Sequence, residues 1–170
     1  FSDPNGRQQC TATPSATLDT GPGNIDEIAS LMATMGPFTS TGGGRTPLYL
    51  ALERYLDPLH AQVFLDGTVE SYLVVVSDGA DSCESEGVPT RNGGSSVTPE
   101  QFSSLTSEIL ETTKIKTIVI GFGDEAEPAQ LNAIAGSGGT EFTQFFDAQD
   151  GPALEEALNI IGASVHVSCN

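Results

Sequence analysis

The chain has 170 residues and a formal net charge of −17, with 23 acidic residues against six Lys and Arg. This length suits one domain with a sizeable core and leaves no room for a second full domain. So few basic residues cannot form the footprint that a phosphate backbone requires, which excludes nucleic acid as an expected partner. Apolar runs such as those at 72–76 and 118–120 are too short to cross a bilayer, so we expect no membrane insertion by this segment.

The first part of the chain is predicted to be a loop followed by two helices. Residues 2–23 are rich in Pro, Thr, Ser and Gly and carry no periodic apolar face. A helix is predicted from Asn24 to about Met35. Its apolar residues recur at helical spacing and are assigned to the core: Ile25, Ile28, Leu31, Met32 and Met35.

A Gly-rich loop at 39–45 precedes the second predicted helix, which runs to about Pro58. Thr46 can cap this helix, and Pro47 fits its first position.

The middle of the chain alternates between strands and helices. A continuous β-branched run predicts a strand over 69–77 that is buried on both faces. A polar loop follows, then a helix that is capped near Thr98-Pro99 and ends at about Thr113. This helix leads into a second buried strand over 115–122.

The last part continues the same alternation. We predict a short helix over 128–135, a third strand over 141–146 and a closing amphipathic helix over 152–163. The order predicts an α/β fold, a three-layer doubly wound sheet with mostly parallel strands. Residues 1–164 are assigned to this domain, and 165–170 to the start of a following segment.

The predicted topology brings two oxygen-bearing side chains to one edge of the sheet. Parallel strands joined by right-handed crossovers all end on the same side, so Asp78 lies at the carboxyl edge. The helix after Pro47 must run back to feed the strand, which puts Thr46 at that edge too. A hydroxyl and a carboxylate framed by the glycines at 42–44 and 79 suit Mg²⁺ or Mn²⁺, with Ca²⁺ possible. Two ligands are too few, since such cations take about six oxygens.

Three segments carry a resemblance to a known family. They read Gly-Gly-Arg-Thr-Pro-Leu at 43–48, Val-Val-Val-Ser-Asp-Gly at 74–79 and Ile-Val-Ile-Gly-Phe-Gly at 118–123. In this order and spacing they resemble the von Willebrand factor A (vWA) domain of bacterial type. The resemblance covers about residues 1–164.

The resemblance implies a metal-ion-dependent adhesion site, with Thr46 as its loop threonine and Asp78 as its strand-end aspartate. It implies a binding module without catalytic activity, in which an acidic group of a protein or other ligand completes the coordination of the cation. Family habit also suggests an extracellular, cell-surface or periplasmic protein.

The family's Asp-x-Ser-x-Ser signature stands nowhere in this chain. The resemblance therefore predicts that the first strand lies upstream of Phe1, which would leave the strand at Tyr72 with an open apolar edge prone to aggregation. The alternative is a family member whose metal site is inactive.

Other polar residues are interpreted as structural. Asp81 and Glu84 are expected to be solvated loop acids, because their spacing does not match an EF-hand. His60 and His166 lack a paired acid and nucleophile. Three acids are interpreted as favourable charges at a helix start: Asp124, Glu125 and Glu127.

The three cysteines stand far apart without a C-x-x-C pair, which argues against a zinc knuckle or a thioredoxin-type redox pair. In an exported protein they predict one disulfide and one thiol, and all three pairings of Cys10, Cys83 and Cys169 are open.

Two other functions are alternatives to a cation-dependent binding module. A hydrolase on an α/β sheet is disfavoured, because the sequence has neither a Gly-x-Ser-x-Gly elbow nor a phosphate-binding or dinucleotide-binding glycine loop. The other alternative is a structural scaffold of the same fold without a working metal site. Such a scaffold would lack the Asp-x-Ser-x-Ser signature upstream.

Overall fold

A computed structural model describes Ser30 and residues 46–57, 70–83 and 97–165 of the chain. Ser30 is helical, as the predicted helix over 24–35 requires, and the rest of that prediction lies outside the described residues. The other described ranges hold helices and strands in alternation. They are α1 (Leu48–Glu53), a 3-10 turn (Arg54–Leu56), β1 (Tyr72–Ser77), α2 (Pro99–Thr113), β2 (Lys116–Phe122), α3 (Pro128–Ser137), β3 (Phe146–Ala148) and α4 (Gly151–Ser164).

The described strands form one parallel sheet in the order β1-β2-β3. Tyr72 of β1 lies opposite Lys116 of β2, and the register continues to Ser77 opposite Gly121. β3 pairs with the end of β2, where Ile120 lies opposite Phe146. The parallel sheet with helices between its strands confirms the predicted α/β class.

Helices cover both faces of this sheet. Neighbouring residues of β2 point to opposite sides, so Val119 joins one core and Ile118 and Ile120 join the other. The larger core packs α1, α2 and α3 against the sheet through Leu48, Leu52, Val75, Val97, Phe102, Leu105, Ile109, Ile115, Val119, Leu131, Ile134 and Ala135. The smaller core packs α4 against the other face through Ile118, Ile120, Ala148, Ala157 and Ile161. This gives a three-layer arrangement compatible with a Rossmann-like fold.

The prediction that the first strand is buried on both faces is wrong for β1. Val75 and Ser77 are buried, whereas Val74 and Val76 on the other face are 40% and 53% exposed. β1 stands at the side of the described sheet, and of its residues on this face Tyr72 packs against the smaller core, whereas Val74 and Val76 stay exposed. A β-branched run therefore identified the strand correctly but not what covers it.

The third strand lies later in the chain than predicted. β3 spans Phe146–Ala148, whereas the sequence pattern favoured 141–146. In the predicted region the N–H of Phe145 donates to the side chain of Asn132 (3.2 Å), and the N–H of Phe142 donates to the hydroxyl of Thr140 (3.2 Å). These side-chain acceptors occupy backbone donors that a strand ladder would need.

Helix α1 confirms the predicted second helix, but its start differs. The residue before the helix is Pro47, and it makes no side-chain capping bond. The prediction that Thr46 caps the helix is therefore wrong, because Pro47 occupies the cap position.

The later helices begin within one residue of their predicted starts, and each has a side-chain cap. Thr98 and Gln101 form a reciprocal capping box at the start of α2. Glu127 caps α3 through a bond from the N–H of Ala129 (3.4 Å), and Asp150 caps α4 through a bond from the N–H of Ala153 (2.9 Å). Within the described ranges, none of the helices combines the length and apolarity that a bilayer crossing requires.

The end of α3 packs directly on the backbone of β2. The N–H of Thr117 donates to the carbonyl of Gly138 (2.8 Å), and a Cβ at position 138 would overlap the carbonyl oxygen of Thr117. We therefore expect Gly138→Ala to lower the free energy of unfolding by about 1 to 3 kcal/mol, as other overpacking changes do. Urea unfolding measures this loss.

Gly136→Ala is the matched control for that experiment. Gly136 is exposed within α3, and among the described residues a Cβ there would meet just the carbonyl oxygen of Thr143, at 3.6 Å. Alanine is the better helix former, so this variant should gain about 0.5 to 1 kcal/mol. Equal stabilities for the two variants would contradict the close contact between Gly138 and β2.

Candidate metal-binding site

The carboxyl edge of the sheet gathers the loops that follow the strands. All three strands are parallel, so Asp78 after β1 and Gly123 after β2 lie on the same side. The N–H of Gly123 donates to the carbonyl of Ala148 (2.9 Å), which ties this loop to the end of β3. A Cβ on Gly79 would lie 4.0 Å from the carbonyl oxygen of Glu125, so the loops after β1 and β2 are neighbours.

Thr46 is held to the loop after β1 by two reciprocal bonds. Its N–H donates to the hydroxyl of Ser82 (2.7 Å), and its carbonyl accepts from the N–H of Ser82 (3.0 Å). Ser82 is four residues after Asp78, and four residues of chain span at most about 14 Å. Thr46 is therefore tied to the loop that begins at Asp78.

Asp78 stands at the tip of β1 with its side chain exposed. The preceding residue, Ser77, is buried and donates its hydroxyl to the carbonyl of Gly79 (2.9 Å). This bond closes the chain around Asp78 into a tight turn. The carboxylate is thus presented at the edge of the sheet on a turn fixed from within.

The donors at this edge match a hard divalent cation in type but not in number. Mg²⁺ and Mn²⁺ prefer oxygen ligands and take about six. The two bonds between Thr46 and Ser82 use the backbone N–H and carbonyl of Thr46 and do not involve its hydroxyl. Across the described part of the chain, no group of three or more His, Cys, Asp or Glu side chains could hold a metal. Any further ligands would come from water, from a bound partner or from residues beyond the described ranges.

Asp81 corrects the sequence analysis, which expected a solvated loop acid. Its side chain is fully buried, at 0% exposure. Oδ2 accepts from the N–H of Tyr49 (2.6 Å) and Oδ1 from the N–H of Cys83 (2.7 Å). If the carboxylate were lost, each of these N–H groups would be left without an acceptor, at a cost of about 1 to 3 kcal/mol each.

The environment of Asp81 has opposing effects on its ionisation. Burial raises the pKa of the Asp81 carboxyl above its ordinary value, because the charged form loses solvent. The backbone N–H groups of Tyr49, Cys83 and Leu48 oppose this shift by stabilising the carboxylate.

Gln130 extends this network and was missed by sequence analysis. Its Oε1 accepts from the N–H of Asp81 (3.0 Å), and its Nε2 donates to the carbonyl of Val97 (3.2 Å). Its side chain is buried, at 5% exposure, and links the loop after β1 to α3 and to the residue before Thr98. Nothing in the helical pattern of α3 distinguishes this glutamine from a surface residue.

Cys83 is buried and disulfide-bonded. This rules out the pairing of Cys10 with Cys169, which would leave Cys83 as the thiol. The two other pairings stay open, because both possible partners lie outside the described residues.

Several residues that the sequence analysis singled out lie outside the described ranges. These are Glu84, His60, His166 and the glycines at 42–44. The three acids before α3 were interpreted as favourable charges at a helix start. Glu127 does lie there, as the capping residue of α3, and Asp124 and Glu125 are exposed.

Comparison of the chain with protein-family models, with curated proteins and with solved structures finds no match.

Proposed function

We propose that this chain is a vWA-type module that binds a protein or another acidic ligand through a divalent cation, with Thr46 and Asp78 among the cation's ligands. The observation that carries this proposal is the reciprocal pair of bonds between Thr46 and Ser82. It ties the backbone of Thr46 to the loop that begins at the exposed Asp78, which supports a common site for the two side chains. The three sequence segments that resemble the family are the second support, since two of them contain these residues.

The proposed mechanism is coordination without catalysis. Asp78 would supply a charged oxygen and Thr46 a neutral one to a bound Mg²⁺ or Mn²⁺. The cation would supply the charge that attracts an acidic group of the partner, which would provide a further oxygen ligand. Binding of the partner then depends on the cation and is reversed by chelation.

The disulfide of Cys83 supports an oxidising location for the module. Disulfides persist in secreted and periplasmic proteins and are rare in the cytosol. We therefore propose that the protein acts outside the cell, at the cell surface or in the periplasm.

Calorimetry with Mn²⁺ tests the proposed site on the full chain. Loss of a group that merely orients a metal ligand costs about 10- to 100-fold in affinity, so Asp78→Ala, which removes a ligand, should cost more than about 100-fold. Glu111→Ala is the control, because this exposed acid lies near the end of α2, which leads into the opposite edge of the sheet. Equal Mn²⁺ affinity for the wild-type chain and Asp78→Ala would end the proposal and favour the structural scaffold.

A further inference from the structure

Asp81 joins the two segments that carry the proposed cation ligands. It lies three residues after Asp78, and its carboxylate binds the N–H of Tyr49, which lies three residues after Thr46. The reciprocal bonds between Thr46 and Ser82 lie next to this contact. The backbone of α1 is thus fixed to the loop after β1 at two neighbouring points.

The bonding of Asp81 argues against a direct role in binding the cation. One carboxylate oxygen accepts from Tyr49 and the other from Cys83, and the side chain has no exposed surface. Its own N–H is held by Gln130, which in turn binds the carbonyl of Val97. Asp81 is therefore fixed from α1, from α3 and from the chain leading into α2, and it faces the protein interior.

Helix α1 needs such an anchor. It has six residues, and the residue before it, Pro47, makes no side-chain capping bond. Short helices depend on tertiary contacts, and an acid is favourable at a helix N-terminus. Asp81 supplies that acid from a distant part of the sequence.

We propose that Asp81 is a positioning residue, which sets the place of Thr46 relative to Asp78 and thereby the cation affinity. The second half of this inference rests on the proposed function, and the first half does not. Asp81 acts only through backbone N–H groups, so an asparagine at this position keeps the shape of the side chain but offers one acceptor oxygen in place of two.

Two readouts on the full chain test this proposal. The first is amide hydrogen exchange at Thr46 and Ser82 under native conditions, which we expect to be about tenfold or more faster in Asp81→Asn. The second is Mn²⁺ affinity by calorimetry, which we expect to be about 10- to 100-fold weaker with unchanged stoichiometry. Ile109→Val serves as the destabilised control, because Ile109 is a fully buried core residue in the second half of α2.

The outcomes separate the two proposals. If exchange at Thr46 and Ser82 in Asp81→Asn is no faster than in Ile109→Val, the positioning role is overturned. It is also overturned if the wild-type chain binds Mn²⁺ and Asp81→Asn binds it with the same affinity. If the wild-type chain binds no Mn²⁺, the proposed function fails, and the exchange rates alone decide the role of Asp81. If Asp81→Asn does not fold, Gln130→Met takes its place, since it removes the acceptor of the Asp81 N–H and keeps the carboxylate.

Discussion

Replacing Phe102 with alanine is expected to lower the free energy of unfolding by about 3 to 5 kcal/mol. Phe102 lies on α2, has no exposed surface and belongs to the larger core. The loss combines the transfer of a large apolar side chain to water with the cavity that remains. Because a typical domain is stable by only about 5 to 15 kcal/mol, urea unfolding should resolve the shift without difficulty.

Ile160→Ala is the control for the Phe102 experiment. Ile160 lies on α4 and is 43% exposed, so its truncation should change the stability by no more than about 0.5 kcal/mol. A loss of less than about 1 kcal/mol for Phe102→Ala, or equal losses for the two variants, would contradict the assignment of the larger core.

Phe102 also connects the core to the candidate site. Its ring meets that of Tyr49 edge to face, with the centroids 5.6 Å apart. The N–H of the same Tyr49 donates to Asp81. Tyr49 of α1 therefore has two anchors. Its ring packs against Phe102 of the larger core, and its N–H binds the buried carboxylate of Asp81 in the loop after β1.

The elements that the sequence predicted well are those with local signals. Thr98-Pro99 predicted the start of α2, and the observed helix begins at Pro99 and ends at Thr113 as expected. The capping bonds involved run between residues three positions apart, so they can be deduced from a short stretch of sequence. The start of β2 was predicted to within one residue, because its continuous apolar run is also a local signal.

The features that the sequence did not predict depend on distant partners. Asp81 was interpreted as a solvated acid, because its acceptor role depends on Tyr49, which is 32 residues away. The third strand was predicted too early, because Asn132 takes the N–H of Phe145 from another element. The two faces of β1 could not be told apart, since the position of α4 decides which face of the sheet is covered.

The candidate site divides in the same way. The strand-tip position of Asp78 followed from the buried run before it and the rule for parallel strands. The same rule predicted that Thr46 lies at that edge, but the contact that ties Thr46 to the loop after β1, through Ser82, has no signature in the sequence. Topology thus predicts which edge a residue reaches, and individual side chains decide how firmly it is held there.

Removal of the disulfide by Cys83→Ala is expected to cost about 2 to 5 kcal/mol. Cys83 is buried at 1% exposure and bonded, and either possible partner closes a loop of roughly 70 to 90 residues. A link across so long a loop greatly restricts the unfolded chain, which is the main source of its stabilising effect. Urea unfolding with and without a dithiol reductant measures the effect, and the reductant should shift the wild-type curve but not that of Cys83→Ala.

Single alanine variants of the other two cysteines identify the partner. The variant that removes the partner should lose as much stability as Cys83→Ala and should also become insensitive to the reductant. The variant at the remaining thiol should match the wild type in both respects. Identical curves for the wild type and Cys83→Ala would contradict a stabilising disulfide at this position.

The disulfide also lies close to the candidate site, because Cys83 directly follows Ser82, which binds Thr46. The N–H of Cys83 donates to Asp81, so the covalent link and the buried carboxylate restrain the same short segment. If the disulfide holds this segment, its removal should speed amide exchange at Ser82 more than at Ile118, which lies in the middle of β2. Equal acceleration at both amides would mean that the disulfide stabilises the whole fold without any particular hold on the loop after β1.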